Sequence, residues 1–251
     1  MKRIFDVYYT EEKHPMQRLR IYLPEAESFP VFVYFHGGGL SAEDRSAGEE
    51  SMKYLAAHGV AVASVEYRLY PDAKYPEFIE DCAAALAWVK KNFSQYGNVE
   101  GVYAGGSSAG GYLSMMLCFN AAYLGAHGID PTEISGWFHD AGQPTKHFTV
   151  LKYSGEDERR VIIDETAPLY YIGTQKDHSP MRFIVSDDDI PGRYEQIMLV
   201  LSTLKHFGYT GFDYKLMHGT HCHYCDIVSP VKGILGEMIL DFLKNLPHKF
   251  H

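Results

Sequence analysis

One short stretch constrains this chain more than any other: Ser108 lies in the pattern Gly106-x-Ser108-x-Gly110, after an apolar run and before a helical-looking segment. A serine on a sharp turn from strand into helix needs glycines two positions to either side, because the two backbones approach closely there. Such a turn leaves the Ala109 N–H at a helix N-terminus, where negative charge is stabilised. The pattern therefore predicts a nucleophile elbow, with Ser108 as nucleophile and Ala109 as an oxyanion donor.

A second glycine-rich turn precedes it. Residues 31–35 have the β-branched and aromatic composition of a buried strand and run into His36-Gly-Gly-Gly39. Consecutive glycines leave backbone N–H groups uncovered, and in this architecture such a loop completes an oxyanion hole. The alternative is a flexible hairpin tip, which the core strand before it disfavours. We therefore predict Gly37 and Gly38 as the remaining donors.

Strand and helix patterns alternate along most of the chain, which indicates an α/β fold with a mostly parallel sheet covered on both faces. Besides the strand before Ser108, strands are predicted at residues 4–9, 18–23, 31–35, 60–67, 134–139, 181–185 and 212–217, the first two as an antiparallel pair. Besides the helix after Ser108, helices are predicted at residues 46–58, 77–93, 193–207 and 231–246. The prediction is an eight-stranded sheet.

The length indicates one domain. A chain of 251 residues with 46% hydrophobic side chains can bury a large core, and α/β folds of this size are commonly undivided. We therefore expect a single domain over residues 1–251. Between residues 141 and 179 polar and aromatic residues mix without a clear period, so this stretch is interpreted as a small lid or excursion over the site.

Charge and cysteine content exclude several classes of protein. The formal net charge is −9 and basic residues never occur in more than pairs, which argues against a nucleic-acid partner. No apolar stretch has the length of a signal peptide or a membrane span, and the four cysteines fit reduced thiols better than a disulfide framework. These features predict a cytoplasmic protein, and they are compatible with a homo-oligomer.

A serine nucleophile needs a histidine to accept its proton and a carboxylate to orient that histidine. In this order of strands and helices the acid follows a later strand and the histidine follows the last one. Both strand ends carry several candidates: the acids are Asp187, Asp188 and Asp189, and the histidines are His218, His221 and His223.

These motifs resemble those of the α/β-hydrolases and, within them, the hormone-sensitive-lipase-like branch of carboxylesterases. Besides the two glycine motifs, the resemblance includes Tyr67-Arg-Leu-Tyr-Pro71, Tyr75-Pro76, Glu80-Asp81 and Trp88-Val89. The resemblance implies an α/β-hydrolase fold with a small or absent cap. It also implies that Ser108 is the nucleophile and that Gly37, Gly38 and Ala109 are the oxyanion donors.

The same resemblance selects among the surplus candidates. Asp187 matches the acid in the branch's pattern Asp-x-x-(Val/Ile)-Pro, with Asp189 as the alternative. His221 matches the base because it follows a glycine-containing loop, with His223 second and His218 third. The expected triad is Ser108, Asp187 and His221.

Two departures from the branch concern the substrate. Ser107 stands where the branch typically has aspartate, and the predicted strands begin almost at Met1, without the cap helices of lipolytic members. A more open pocket buries less of an acyl chain, so short acyl groups are favoured. Some aromatic residues could form a stacking wall for a sugar or aryl alcohol, although a core position is expected for most of them: Trp137, Phe148, Tyr153, Tyr170 and Tyr171.

The His and Cys residues near the C-terminus also fit a zinc site. This group comprises His218, His221, Cys222, His223 and Cys225. A structural zinc site usually needs a second ligand pair from a separate stretch, and no further Cys-x-x-Cys or His-x-x-x-His pair stands out. We therefore expect no metal, with Cys222 and Cys225 packed beneath the loop.

The predicted activity is hydrolysis of a small-molecule ester through an acyl-enzyme intermediate, which needs no cofactor. The same residues can cleave amides, so a formamidase or small peptidase is the nearest alternative. A protein that kept the fold as a non-catalytic binder could dispense with serine, acid or histidine, yet this chain has candidates for all three.

Overall fold

The computed structural model describes residues 1–247 and contains one eight-stranded sheet in the order β1-β2-β4-β3-β5-β6-β7-β8. β1 pairs with β2, and β2 with β4, in antiparallel fashion, and the remaining neighbours are parallel. The strands are β1 Arg3–Tyr8, β2 Arg18–Leu23, β3 Ser28–Phe35, β4 Ala61–Val65, β5 Asn98–Ser107, β6 Gly136–Asp140, β7 Met181–Asp188 and β8 Phe212–Thr220. The predicted sheet is confirmed.

Helices cover both faces of the sheet. They are α1 Glu49–Ala57, α2 Glu77–Asn92, α3 Ala109–Phe119, α4 Ala121–Gly125, α5 Phe148–Tyr153, α6 Arg193–His206 and α7 Ile234–Lys244, with 3-10 turns at Phe93–Tyr96, Pro131–Glu133 and Pro168–Tyr171. Alternation along β3 explains the two layers. Val31, Val33 and Phe35 pack with α2, α3 and α6, while Phe32 and Tyr34 pack with α1 and α7.

The excursion expected over residues 141–179 corresponds to the connection between β6 and β7. It contains α5 and the 3-10 turn Pro168–Tyr171, and the rest is irregular. Several of its polar side chains are nonetheless buried, including Thr145 and His147. The single domain expected over residues 1–251 stays a prediction, and residues 248–251 lie outside the described part of the chain.

The parallel strands bring their carboxyl ends to one edge of the sheet, where ligands bind in open α/β folds. β3 ends before His36, β5 before Ser108, β7 before Asp189 and β8 before His221. The sequence candidates therefore meet at that edge.

Within residues 1–247, every helix is too short or too polar to pass through a lipid bilayer.

Candidate active site

The elbow forms as the glycine spacing predicts. Ser108 has φ 56° and ψ −113°, between the end of β5 and the first turn of α3. A Cβ at Gly106 would lie 2.2 Å from the carbonyl oxygen of Phe35, and one at Gly110 would lie 1.9 Å from the same atom. Only glycine fits at either position, because the obstacle is backbone of β3.

Ser108, His221 and Asp189 form a continuous chain of hydrogen bonds. The Oγ of Ser108 lies 2.9 Å from Nε2 of His221, and Nδ1 of His221 lies 2.6 Å from Oδ1 of Asp189. The hydroxyl can therefore donate to the imidazole while the imidazole donates to the carboxylate. This is the geometry of an activated serine nucleophile.

The expected pairing of Asp187 with His221 is wrong. Asp187 instead accepts from His218 Nδ1 at 2.6 Å and from the Gly219 N–H at 2.9 Å. The strand register explains this difference. β7 and β8 pair Asp188 with Thr220 after a register shift, so the residues just beyond both strand ends, Asp189 and His221, face each other.

Burial also distinguishes the two carboxylates. The Asp189 side chain is 1% exposed and that of Asp187 is 43% exposed. Burial raises the pKa of Asp189, but the hydrogen bond from His221 and the positive charge of Arg193 outweigh it, so the pKa is lowered overall. Arg193 is itself buried and donates to the Ala141 carbonyl. The Asp189 carboxylate thus stays charged, with its second oxygen Oδ2 unpartnered within residues 1–247.

Contacts from behind hold the loop of predicted oxyanion donors. The Tyr67 hydroxyl donates to the carbonyls of His36 and Gly37, at 2.8 and 3.2 Å. The His36 ring stacks on Tyr67 with centroids 4.3 Å apart, and its complete burial lowers its pKa to about 4. Gly38 has φ 81°, and a Cβ there would lie 2.1 Å from the Ala42 carbonyl oxygen. The loop thus directs two carbonyls toward the Tyr67 hydroxyl. Gly37 lies next to the nucleophile, since a Cβ at Gly37 would be 3.5 Å from Ser108 Cβ.

Glu43 is a residue of the site that the sequence analysis missed. It lies after the glycine loop with φ 68°, and its carboxylate interacts with the backbone N–H of Gly37. Burial raises the pKa of Glu43, and this effect exceeds the opposing effect of the Gly37 amide. The Glu43 carboxylate therefore occupies the N–H of Gly37, which is one of the predicted oxyanion donors. No motif marked this position, since only the backbone path after Gly39 brings it there.

One cavity contains the nucleophile, and a separate one lies next to Asp189 and the glycine loop. A cavity of about 120 Å³ is lined by Ser108, His221 and Glu43. A larger one of about 530 Å³ is lined by Phe148, Ile190 and Pro191 among others, and Phe148 also packs against Gly39.

The aromatic residues considered as a stacking wall have different positions. Trp137 is buried in the core, and Tyr153 stacks on Tyr70 with ring centroids 5.3 Å apart. Tyr170 is 54% exposed, and Tyr171 packs partly buried against the core. Of the five, Phe148 lines the cavity beside the site.

Among residues 1–247, a buried group behind His221 has side chains that could hold a metal ion. The ligand atoms of Asp140, Cys222 and Cys225 all lie within 4.8 Å of one another. Cys222 and Cys225 are buried beneath the loop, whereas His223 bonds the Thr220 carbonyl through Nδ1 at 2.8 Å. Burial raises the pKa of Asp140 to about 6. Sequence analysis did not single out Asp140, which ends a short buried strand.

Comparison with known proteins reveals similarity to esterases over part of the chain. A family model described as BD-FAE matches residues 19–132. Carboxylesterase NlhH of Mycobacterium tuberculosis is 36% identical over 111 residues, which are 43% of this chain and 35% of the relative. Acetyl esterase of Salmonella schwarzengrund is 33% identical over 98 residues, which are 38% of this chain and 30% of the relative. The chain thus spans about a third of the length of these relatives.

Similarity in structure extends over nearly the whole chain. Esterase B from Lactobacillus rhamnosis superposes with a TM-score of 0.78 at 21% identity, covering 97% of this chain and 85% of that one. Esterase 2 of Thermogutta terrifontis gives a TM-score of 0.77 at 18% identity, covering 97% and 95%. At these identities the likeness establishes the fold, including the elements after residue 132 that carry Asp189 and His221.

Proposed function

We propose that this chain, an α/β-hydrolase that resembles the hormone-sensitive-lipase-like carboxylesterases, is a serine hydrolase of short-chain carboxylic esters that acts through an acyl-enzyme intermediate. The hydrogen-bonded chain of Ser108, His221 and Asp189 is the observation that carries the proposal. The esterase relatives support the same activity over the segment that they share.

In the proposed mechanism Ser108 attacks the ester carbonyl while His221 accepts its proton through Nε2. The charged Asp189 stabilises the imidazolium that results. The amides of Gly37, Gly38 and Ala109 donate to the oxyanion of the tetrahedral intermediate, the step at which electrostatic stabilisation is usually greatest. His221 then protonates the leaving alcohol, and water releases the acyl group by the reverse sequence.

The cavities support a small acyl group. The space of about 120 Å³ beside Ser108 has room for few methylenes, and each methylene left in water forgoes roughly 0.8 kcal/mol of burial. The larger cavity beside Phe148 suits the alcohol group. Because the smaller cavity can hold only a short chain, we propose an acyl group of about two to four carbons.

We further propose that residues 141–179 act as a partial cover of the site. Thr149 in α5 donates to the Gly39 carbonyl at 2.5 Å, and the neighbouring Phe148 ring packs on Gly39. α5 thereby connects the excursion to the oxyanion loop. The cytoplasmic location expected from the sequence stays a prediction.

The test combines a covalent probe with a graded set of substrates. A fluorophosphonate should label the wild type and fail to label Ser108→Ala, whereas Ser202→Ala, altered on the exposed side of α6, should label normally. The wild type should cleave p-nitrophenyl acetate and butyrate faster than longer esters, and Ser108→Ala should lose this activity by more than about 10³-fold.

The same assay separates the alternatives. Turnover of N-formyl or aminoacyl anilides without turnover of esters would favour an amidase. A folded wild type that neither reacts with the probe nor cleaves any ester would contradict hydrolysis and indicate a binding protein.

A further inference from the structure

The proposed hydrolysis makes no use of the buried polar group directly behind the imidazole of His221. This group consists of Asp140 at the end of β6 and of Cys222 and Cys225, which follow β8. All three residues are at least nine-tenths buried. Two thiols and a carboxylate from separate parts of the chain are the donor set of a soft divalent cation.

Backbone geometry brings the two thiols together. Cys222 and Cys225 are the first and last residues of a turn in which the Cys225 N–H donates to the Cys222 carbonyl at 2.9 Å. Cys222 itself has φ 51°, a left-handed conformation that side-chain-bearing residues rarely adopt. The turn therefore directs both sulfurs toward Asp140.

The spacing of the donor atoms fits a tetrahedral ion. Sγ of Cys225 lies 3.8 Å from Oδ2 of Asp140, and Sγ of Cys222 lies 3.7 Å from Nε2 of His221. Zn–S bonds of about 2.3 Å and Zn–N bonds of about 2.0 Å separate neighbouring donors by roughly 3.5–3.8 Å. The two sulfurs and one Asp140 oxygen lie within 4.8 Å of one another. His221 contacts this group through Cys222 and lies outside that mutual distance, so its imidazole must move toward the other two ligands to complete the tetrahedron.

Contacts around the group orient the carboxylate. The Tyr224 hydroxyl donates to Oδ1 of Asp140, which leaves Oδ2 on the side of Cys225. Outer hydrogen bonds of this kind fix a ligand's orientation in metal sites. Cys222 and Cys225 also line the 120 Å³ cavity that contains Ser108, so an ion that enters the substrate cavity reaches the thiols.

We propose that Cys222, Cys225 and Asp140 bind Zn²⁺ with Nε2 of His221 as the fourth ligand, and that the bound ion inhibits the enzyme. Binding exchanges the two thiol protons for the cation, which forms two Zn–S bonds. The Nε2 lone pair of His221 is then held by the metal and cannot accept the proton of Ser108. Inhibition rests on the proposed hydrolase function, whereas binding does not.

Binding is tested first, on full-length protein freed of metal with a chelator and kept reduced with a phosphine. Competition with a chromophoric zinc chelator should show one Zn²⁺ per wild-type chain, and Co²⁺ should give sulfur-to-metal charge-transfer absorption. Altering an outer partner of a metal site typically costs 10–100-fold in affinity, so losing a ligand in Cys225→Ser or Asp140→Asn should cost at least about 100-fold. Cys118→Ala, which removes a buried thiol of α3 outside the group, is the matched control and should bind as the wild type does.

Inhibition is tested second, with each variant compared with its own metal-free rate. Zn²⁺ should inhibit ester hydrolysis by the wild type and by Cys118→Ala at concentrations that leave Cys225→Ser active, and a chelator should restore the rate. Ser108→Ala should bind Zn²⁺ as the wild type does, which keeps the binding test independent of hydrolysis.

Three results would overturn the proposal. The first is absence of stoichiometric binding to the wild type. The second is equal binding by Cys225→Ser, Asp140→Asn and the control. The third is tight binding at this group without any effect on hydrolysis, which would exclude His221 as a ligand.

Discussion

Two aspartates two positions apart differ completely in their surroundings, and this difference decides which of them serves His221. Asp189 is buried and bonded to His221, whereas Asp187 is bonded to His218, whose side chain is 84% exposed. We expect Asp189→Asn to lower kcat by about 10³–10⁴-fold, because an amide cannot stabilise the imidazolium and favours the wrong tautomer. Asp187→Asn should stay within about twofold.

Steady-state kinetics on p-nitrophenyl acetate check this difference, with circular dichroism to show that both variants are folded. A large loss in Asp187→Asn with little loss in Asp189→Asn would restore the pairing that the family pattern implies.

Glu43 gives a second prediction for a single residue. Its carboxylate interacts with the Gly37 amide, so a developing oxyanion meets a negative charge there. Glu43→Gln should raise kcat/KM for neutral short esters by about fivefold, because a like charge several ångströms away in a site open to water costs roughly 1 kcal/mol. Glu50→Gln, on the exposed surface of α1, is the control and should leave kcat/KM unchanged. A fall in kcat/KM for Glu43→Gln would show instead that the carboxylate assists the reaction.

Single residues also show where sequence analysis reached its limit. The elbow serine and its histidine are predictable, because glycine spacing and strand order place them without knowledge of register. The choice between Asp187 and Asp189 depends on the register shift between β7 and β8, which no local pattern encodes. Asp140 and Glu43 were missed for a related reason, since each reaches the site through tertiary packing.

At the scale of elements, the approach of β3 to the elbow gives a sharp prediction. A Cβ at Gly110 would lie 1.9 Å from the Phe35 carbonyl oxygen, which is backbone and cannot rotate away. Gly110→Ala should therefore destabilise the protein by on the order of 4 kcal/mol and abolish activity.

Gly125 at the end of α4 is the matched control for this substitution. Nothing lies within 4 Å of a Cβ there, so Gly125→Ala should stabilise the fold by about 0.5 kcal/mol. Urea unfolding measures both variants. A Gly110→Ala protein as stable as the wild type would contradict the proposed crowding at the elbow.

The elements themselves were largely predictable, because their hydrophobic period follows from how they pack. β7 was predicted at residues 181–185 and extends to Asp188, since polar residues at a strand end give no apolar signal. α5 could not be predicted from residues 141–179, because six helical residues give too short a period to recognise.

At the scale of the whole molecule, folding within residues 1–247 buries several histidines, and burial lowers the pKa of three of them, so their neutral forms are favoured in the native state. These three are His36 behind the oxyanion loop, His139 in β6 and His147 before α5. Burial lowers the pKa of His36 to about 4 and those of His139 and His147 to about 3. Their unfolded forms take up protons below the ordinary pKa of about 6.5.

Stability should therefore fall as the pH drops from about 6.5 to 4. Over that range unfolding takes up about one proton at each buried histidine, so each one costs up to about 1.4 kcal/mol per pH unit. The three together give up to about 4 kcal/mol per pH unit. The raised pKa of Asp140 acts in the opposite direction, because the native state holds its proton longer as the pH rises.

Substitution of one histidine isolates this effect from the carboxylates. His139 lies among Phe119, Trp137 and Phe183, so His139→Phe removes the titrating group and keeps an aromatic ring. Between pH 6 and pH 4 the free energy of unfolding of His139→Phe should fall less steeply than that of the wild type. The difference between the two slopes should be about 1.4 kcal/mol per pH unit. His206→Gln at the exposed end of α6 should follow the wild type. Urea unfolding at pH 4, 5 and 6 gives the slopes, and equal slopes for the wild type and His139→Phe would mean that His139 is protonated in the native state.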